Sequence, residues 1–322
     1  MSVHNVSIEV ASERSITIET GKLAGLAGGA VTVQQGETIV LVAACSAKPR
    51  EGLDFFPLQV DYRERFSAAG RMPGGYFKRE GRPSEKEILT ARMTDRPLRP
   101  LFPKGFRDDT QVMALLLSSD GQNEPDTLSM LGASAALAIS NIPFGGPMGA
   151  VRVGRVDGEF IANPTHAEMA GSDLDLVYAG VDDKVIMIEG GGDEISEATL
   201  EGALAFANDV VKKQTAAINE LRQAAGKEKY EPELVQVPED IDAAVGQAVA
   251  GRFASITTME TKQERQAALE EIVTEIKEQL GAQLVTDERD EDDVADFIAD
   301  AVQEHFETAM RTMILDEGRR MD

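Results

Sequence analysis

Gly70-Arg71-Met72-Pro73-Gly74-Gly75-Tyr76-Phe77-Lys78-Arg79-Glu80-Gly81-Arg82-Pro83-Ser84-Glu85 is the stretch on which the reading of this chain turns. It lies in a segment, residues 51–107, that is rich in proline, glycine and arginine and weak in periodicity. Between Asp61 and Arg107 stand twelve basic residues: Arg63, Arg65, Arg71, Lys78, Arg79, Arg82, Lys86, Arg92, Arg96, Arg99, Lys104 and Arg107. Six acids share that window, which is therefore net +6 in a chain of net −24; the rest carries −30. Nine of the twelve cations are arginine, whose planar fork grips phosphate bidentately and stacks on bases where an ammonium does neither. Phe66, Tyr76, Phe77, Phe102 and Phe106 accompany them. Two readings are open on composition alone. One is a surface of cations and stacking platforms for single-stranded RNA. The other is a loop of arginines paired to carboxylates within the fold.

Outward from this segment the grammar is regular. Val6, Ile8 and Val10 alternate with polar residues, as do Ile16 and Ile18, then Val31 and Val33, and Thr38 to Ala44 is a continuous run; four strands are predicted. Val112 to Leu117 reads as another buried strand. Asp126 opens a helix through Leu128, Leu131, Ala135 and Ile139, and its Gly, Ala and Ser content predicts close packing on a sheet. Pro143 and Pro147 mark a joint. Gly149–Val156, Asp157-Gly158 and Glu159–Ala162 form a hairpin signal, followed by strands at Leu174–Ala179 and Lys184–Glu189. Gly190-Gly191-Gly192 lacks a nucleotide-binding pattern and reads as a turn. A long helix spans about Ser196 to Ala225, stopped by Gly226, and residues 227–238 look like a linker. Each half of this body has strands and then a helix.

Beyond 239 only helix is predicted. Leu269, Ile272, Val273, Ile276 and Leu280 form one apolar stripe; Val294, Phe297, Ile298, Ala301, Val302, Met310 and Met313 form a second. This tail, 239–322, holds 22 acids against 8 bases. The acidic run Asp287 to Asp293 lacks calcium-loop spacing and reads as a solvated helix start. The fold class is thus α+β with mixed sheets and helices, followed by a small all-α domain.

Composition excludes several classes. Cys45 is the only cysteine, so no intrachain disulfide framework exists, and His4, His166 and His305 are too scattered for a zinc site. The start lacks a basic region followed by an apolar core, and no apolar run approaches the roughly 20 residues that span a bilayer. A soluble, cytoplasmic protein with no membrane partner is expected.

The order of residues goes further. Phe55-Phe56-Pro57-Leu58-Gln59-Val60-Asp61-Tyr62, the Gly70–Glu85 stretch, Asp95-Arg96-Pro97-Leu98-Arg99-Pro100-Leu101-Phe102-Pro103, Gly132-Ala133-Ser134-Ala135-Ala136-Leu137 and Ile142-Pro143-Phe144 closely resemble the polynucleotide phosphorylase family. The resemblance implies a ribonuclease PH-like (ribosomal protein S5 domain 2-like) barrel in two parts, 1–145 and 146–235, and an all-helical domain at 239–318. It implies membership of a polyribonucleotide nucleotidyltransferase that degrades RNA from its 3′ end, using inorganic phosphate and releasing nucleoside diphosphates, with Mg2+ as cofactor. It also implies a homotrimer around a channel, single-stranded RNA as partner, and contact with components of an RNA-degradation complex. The family's second barrel and its KH and OB-type modules are expected to be absent from this chain, which reaches Asp322 about where that barrel begins.

The resemblance also implies which residues act. The family's catalytic barrel carries serines for phosphate before the small-residue helix, where this chain has Glu124-Pro125-Asp126. Its later strand reads Asp-x-Asp-x-Lys; here Asp173 and Asp175 remain, but Val177 replaces the lysine and Met169 an upstream aspartate. No catalytic and no metal-binding residue is therefore assigned, and Mg2+ ligands are expected in the missing barrel. Tyr76, Phe77, Lys78 and Arg79 match the family's aromatic-aromatic-basic-basic loop at the channel entrance. Arg82, Arg92, Arg96 and Arg99 match further arginines along the RNA route, the last three on one side of a short helical stretch limited by Pro97, with Glu85, Glu87 and Asp95 as the carboxylates that could claim them. His166 has no identifiable partner. A stand-alone RNA-binding or assembly module is the alternative. Plain ribonuclease PH or an exosome-like subunit is disfavoured by the helical tail.

Overall fold

The apolar–polar alternation of the first fifty residues emerges as four antiparallel strands, β1 (His4–Ala11), β2 (Arg14–Thr20), β3 (Gly29–Gln35) and β4 (Thr38–Ala47). They are seen in a computed structural model that describes residues 2–11, 14–49, 53, 55–287 and 289–321. β5 (Leu58–Glu64) and β6 (Asp109–Ser118) complete a six-stranded sheet of order β1-β2-β3-β4-β6-β5. β5 runs parallel to β6, and the crossover between them carries α1 (Glu85–Leu98). The small-residue helix α2 (Asp126–Ile139) then lies across the sheet with all of its residues buried.

The Gly, Ala and Ser content of α2 is explained by distance. A Cβ on Gly132 would sit 2.6 Å from Val42 Cγ2, and one on Gly29 of β3 would sit 2.1 Å from the Ala136 carbonyl oxygen. β6 departs from expectation. Val112, Ala114 and Leu116 are buried on the α2 side, but Met113 and Leu117 are exposed, so the strand is one-sided. The reason is that α1 packs on β5 and leaves the neighbouring outer face of the sheet open.

A second sheet, order β10-β9-β7-β8, comprises β7 (Gly149–Val156), β8 (Glu159–Ala162), β9 (Leu174–Val181) and β10 (Lys184–Gly192), with the single helical turn α3 (His166–Met169) between β8 and β9. Asp157 and Gly158 take positive φ (52° and 85°), the primed-turn geometry expected of Asp-Gly in a tight hairpin. Gly190–Gly192 do not form the turn expected of them; they continue β10 and pair with Leu176, Asp175 and Leu174. A Cβ at Gly190 would come within 2.3 Å of the Asp175 carbonyl oxygen. The long helix α4 (Glu197–Ala225) starts from Ser196, whose hydroxyl accepts the Thr199 N–H, and packs on β1, β7 and β9. Apolar residues of both sheets and of α2 and α4 form one core.

The chain divides into two units, Met1–Leu234 and Val235–Asp322. Residues 227–234, which read as linker, belong to the first. Lys229 Nζ donates to the carbonyls of Leu137 (2.7 Å), Ala138 (3.1 Å) and Ser140 (2.7 Å) at the C-terminal end of α2, where the helix dipole favours a cation. The Tyr230 hydroxyl donates to Asp108 (2.6 Å).

The second unit contains α5 (Glu239–Val249), α6 (Phe253–Ile256), α7 (Lys262–Leu284) and α8 (Glu291–Glu317) around their own core, which includes Ile241, Val245, Ile272, Ile276, Val294, Ile298 and Val302. Asp290 starts α8 by accepting the N–H groups of Asp292 and Asp293, as its acidic run suggests; Glu288 in that run lies outside the described residues. Among the described residues no helix is long and apolar enough to cross a membrane.

The close approach of α2 makes a sharp prediction. Gly29→Ala forces a methyl group against a backbone oxygen that cannot move independently, and should lower stability by about 1–3 kcal/mol in urea unfolding. Gly74→Ala, whose Cβ meets nothing within 4 Å, should leave the midpoint unchanged.

Candidate nucleic-acid interface

α1 is anchored before its arginines are reached. Ser84 and Glu87 form a reciprocal cap, with the Ser84 hydroxyl accepting the Glu87 N–H (3.2 Å) and the Glu87 carboxylate accepting the Ser84 N–H (2.6 Å). The same carboxylate accepts the Glu64 N–H of β5 at 2.9 Å. Burial alone would raise the Glu87 pKa, but the N–H donors of Ser84 and Glu64 outweigh it and hold the carboxyl below its ordinary range. The helix then runs 14 residues, longer than the short stretch expected, because Pro97 falls in its last turn. Between α1, β5 and β6 lies an open cleft of about 810 Å³. Its rim holds Arg63, Arg65, Arg92, Arg96 and Arg99; Leu58, Val60, Met113 and Leu115 contribute apolar surface.

The expected RNA-binding residues separate into two kinds. Tyr76 and Phe77 are 94% and 80% exposed, with ring centroids 5.4 Å apart in an edge-on pair. Exposed aromatic rings cost hydration free energy unless something covers them, and bases are suitable covers. Lys78, Arg79, Arg82 and Arg92 are exposed, and among the described residues no hydrogen bond or ion pair engages their side chains. Arg96 pairs with Glu189 of β10 at the surface. Arg99 is committed to the fold. It donates to both Asp95 oxygens (2.7 and 3.2 Å) and to the carbonyls of Phe56 (3.0 Å) and Leu58 (3.2 Å), and it lies 5.5 Å from the Phe56 ring centroid. Of the carboxylates weighed as partners, only Asp95 claims one of the expected arginines; Glu87 instead approaches Arg63 at 3.9 Å. Arg63 and Arg65 were missed as cleft residues. Their i, i+2 spacing, at the end of β5 and just beyond it, was the available signal.

At the positions where the resemblance would place phosphate and metal, the charges are already matched. The Arg152 guanidinium bridges Asp126 (2.6 Å) and Asp175. Burial would weaken its charge, but the two carboxylates prevail and raise its pKa. Arg155 lies 3.5 Å from Asp173. Lys86 joins Glu124 (2.7 Å) to Glu64 (3.1 Å); burial works against this ammonium, and the two carboxylates overcome it. His166, unpartnered in the sequence reading, approaches Glu124 at 3.6 Å. These residues do not fit a catalytic Mg2+: Asp173 and Asp175 each face a guanidinium, and among the described residues no three His, Cys, Asp or Glu side chains converge. An incoming phosphate would meet Glu124 and Asp126 with their cations already engaged.

The geometry defines a two-sheet α+β body with a cationic groove and a separate helical unit, and comparison gives this class its family. Residues 12–143 match domain 1 of the 3′ exoribonuclease family and residues 146–210 match domain 2. Residues 240–322 match the RNA-binding domain of polyribonucleotide nucleotidyltransferase. The solved structure of rice (Oryza sativa) Rrp46 covers 69% of this chain and 94% of its own, with a TM-score of 0.52 and 16% identity, and shares its fold. Polyribonucleotide nucleotidyltransferase from Akkermansia muciniphila is 49% identical over 331 residues, covering 100% of this chain and 44% of the relative. That from Aquifex aeolicus is 50% identical over 268 residues, covering 83% and 35%. The chain belongs to the polyribonucleotide nucleotidyltransferase family and spans less than half the length of these curated relatives.

The helical unit matches an RNA-binding model yet carries few available cations. Of its eight basic residues, Arg252 pairs with Glu275 and Arg289 with Asp240; Arg265 donates to three backbone carbonyls and Arg319 to Thr257. Lys262, Lys277 and Arg311 are engaged by no hydrogen bond or ion pair among the described residues and are the cations this unit could offer a phosphate backbone.

Removing the guanidinium of Arg152 leaves Asp126, only 5% exposed, as a buried charge without its partner. Arg152→Met should cost about 3–5 kcal/mol. Arg152→Met with Asp126→Asn should recover part of that loss in the same urea titration. Equal midpoints for single variant and wild type would show that the bridge contributes nothing.

Proposed function

We propose that this chain is the RNA-guiding, non-catalytic portion of a polyribonucleotide nucleotidyltransferase, a phosphorolytic 3′→5′ exoribonuclease. The carrying observation is the exposed run Tyr76-Phe77-Lys78-Arg79, whose cations no hydrogen bond or ion pair engages among the described residues, in the same segment as a cleft with Arg92 unengaged on its rim. Two rings supply stacking that is indifferent to sequence; Lys78 and Arg79 supply charge for phosphates; Arg82 and Arg92 extend the track. Single-stranded RNA is the substrate this arrangement suits, because a duplex hides its base faces. The helical unit, which matches an RNA-binding domain, would add to this segment's RNA contact.

The bridged charges at Asp126, Arg152 and Asp175 support the assignment of chemistry elsewhere. Phosphorolysis needs a cradle for the attacking phosphate and stabilisation of developing charge on the leaving diphosphate. In this chain both would begin by breaking a matched ion pair. The full-length enzyme's inorganic phosphate and Mg2+ are therefore proposed to act in the part of the protein beyond this chain. Homotrimeric assembly, which would bring three copies of the loop around one strand, a cytoplasmic location and partners in an RNA-degradation complex complete the reading.

The 322-residue chain incubated with poly(A), phosphate and magnesium should release no ADP; phosphate-dependent release would refute the non-catalytic assignment. Lys78→Ala with Arg79→Ala should weaken binding of long single-stranded RNA. Loss of two phosphate contacts should also reduce the slope of log K against log salt by about 1.4. An unchanged slope would remove the loop from the RNA path.

A further inference from the structure

The loop that carries Tyr76–Arg79 has open space under its glycines. A Cβ at Gly70, Gly74, Gly75 or Gly81 would meet no atom within 4 Å. Within it the backbone makes a single turn, the Lys78 N–H donating to the Gly75 carbonyl (3.0 Å), with Lys78 in the left-handed region (φ 51°). Such a segment has little to fix its direction, and ordering a free loop around RNA costs conformational entropy.

Both ends of the loop nevertheless meet at one residue. On the outgoing side, Gly70 turns the chain with φ 65° and the Arg71 N–H donates to the Phe66 carbonyl at 2.9 Å. On the returning side, one Glu80 carboxylate oxygen accepts the Phe66 N–H at 3.0 Å and the other pairs with Arg65. Phe66 thus uses its carbonyl to hold the start of the nine-residue arm 71–79 and its N–H to hold the end. The second tie to Phe66 is made by the Glu80 side chain; beside it the Arg63 guanidinium makes a longer bond to the Gly81 carbonyl (3.4 Å). The Arg65 guanidinium, helped by the Phe66 N–H, keeps that carboxyl below its ordinary range, so the clasp is ionised at neutral pH.

We infer that Glu80 is a positioning residue for RNA capture: its carboxylate clasps the base of the 71–79 arm to Arg65 and Phe66 and so holds Tyr76, Phe77, Lys78 and Arg79 in a binding-ready direction. This rests on the RNA-guiding reading of the loop and goes beyond it, since Glu80 itself touches no RNA. The inference has an unusual sign. Glu80 is an anion between Arg79 and Arg82, and by charge alone its removal should strengthen binding to a polyanion. It would also free Arg65. The clasp requires the opposite result, because an unclasped arm must be ordered at the moment of binding.

The test uses the 322-residue chain and a fluorescent single-stranded RNA of about 30 nucleotides, long enough to cross several of the 4–16-nucleotide footprints such surfaces occupy. Glu80→Gln and Glu80→Ala should each bind it roughly threefold to tenfold more weakly than wild type. Tryptic cleavage after Lys78 and Arg79 should be faster in both variants, with cleavage elsewhere unchanged. Equal or tighter RNA binding by both variants overturns the inference, and faster cleavage with unaltered affinity reduces Glu80 to a purely structural tie, which overturns it equally. Lys78→Ala with Arg79→Ala, run alongside, separates the two levels. If that variant also binds normally, the RNA reading of the loop has failed; if it binds weakly while the Glu80 variants do not, only the clasp has failed.

Discussion

The first unit depends on how closely α2 approaches the six-stranded sheet. At Gly29 and Gly132 the spacing leaves no room for a methyl group, so helix and sheet meet almost backbone to backbone. This contact brings Asp126, the first residue of α2, within 2.6 Å of Arg152 on β7 and so helps create the bridge that neutralises the centre between the sheets. It also directs Val112, Ala114 and Leu116 inward, and by the two-residue period of a strand it turns Met113, Leu115 and Leu117 to the other face. That outer face, only partly covered by α1, becomes one wall of the arginine cleft. A single packing constraint thus both sets the Asp126–Arg152 bridge and leaves the arginine-rimmed cleft open.

Arginine does two jobs in the same forty residues, and geometry distinguishes them. Arg99 has four hydrogen bonds and an aromatic neighbour; it joins the C-terminal end of α1 to the segment leading into β5. Charge-assisted bonds to carbonyls and a carboxylate are each stronger than neutral ones, so this side chain is expensive to displace. Among the described residues Arg79, Arg82 and Arg92 have no such attachments. Arg96 lies between: its pair with Glu189 is half exposed on both sides, where such pairs contribute about 0–1 kcal/mol and yield readily to a competing anion.

Much of this was legible in the sequence, for identifiable reasons. The alternation in β1–β4, the Asp-Gly turn at 157–158, the capped helix from Ser196 and the apolar stripes of α7 and α8 each express a local period or a local steric rule. The small residues of α2 announced close packing. What was not legible depends on distant neighbours. Gly190–Gly192 look like a turn, and only the approach of β9 shows why glycine belongs in that strand. Residues 227–234 look like linker because Lys229 and Tyr230 reveal their purpose only beside the end of α2 and Asp108. The one-sidedness of β6 required knowing what covers the sheet, and the commitment of Arg99 required Phe56 and Leu58, more than forty residues away in sequence. The loop 70–85 was recognisable by order of residues, but its clasp was not, since Arg65, Phe66 and Glu80 carry no shared period.

The formal charge of −24 is therefore a poor guide to what the chain attracts. Ionic screening limits the reach of exposed charges to about 8 Å at physiological salt. A phosphate beside Lys78 and Arg79 consequently responds to the cations of its own neighbourhood, in a window that is net +6, and not to the chain's total. Charge segregation of this kind restricts where a polyanion can land, in a way the chain's average charge conceals. Within that window Glu80 is not an uncompensated carboxylate, because Arg65 pairs with it.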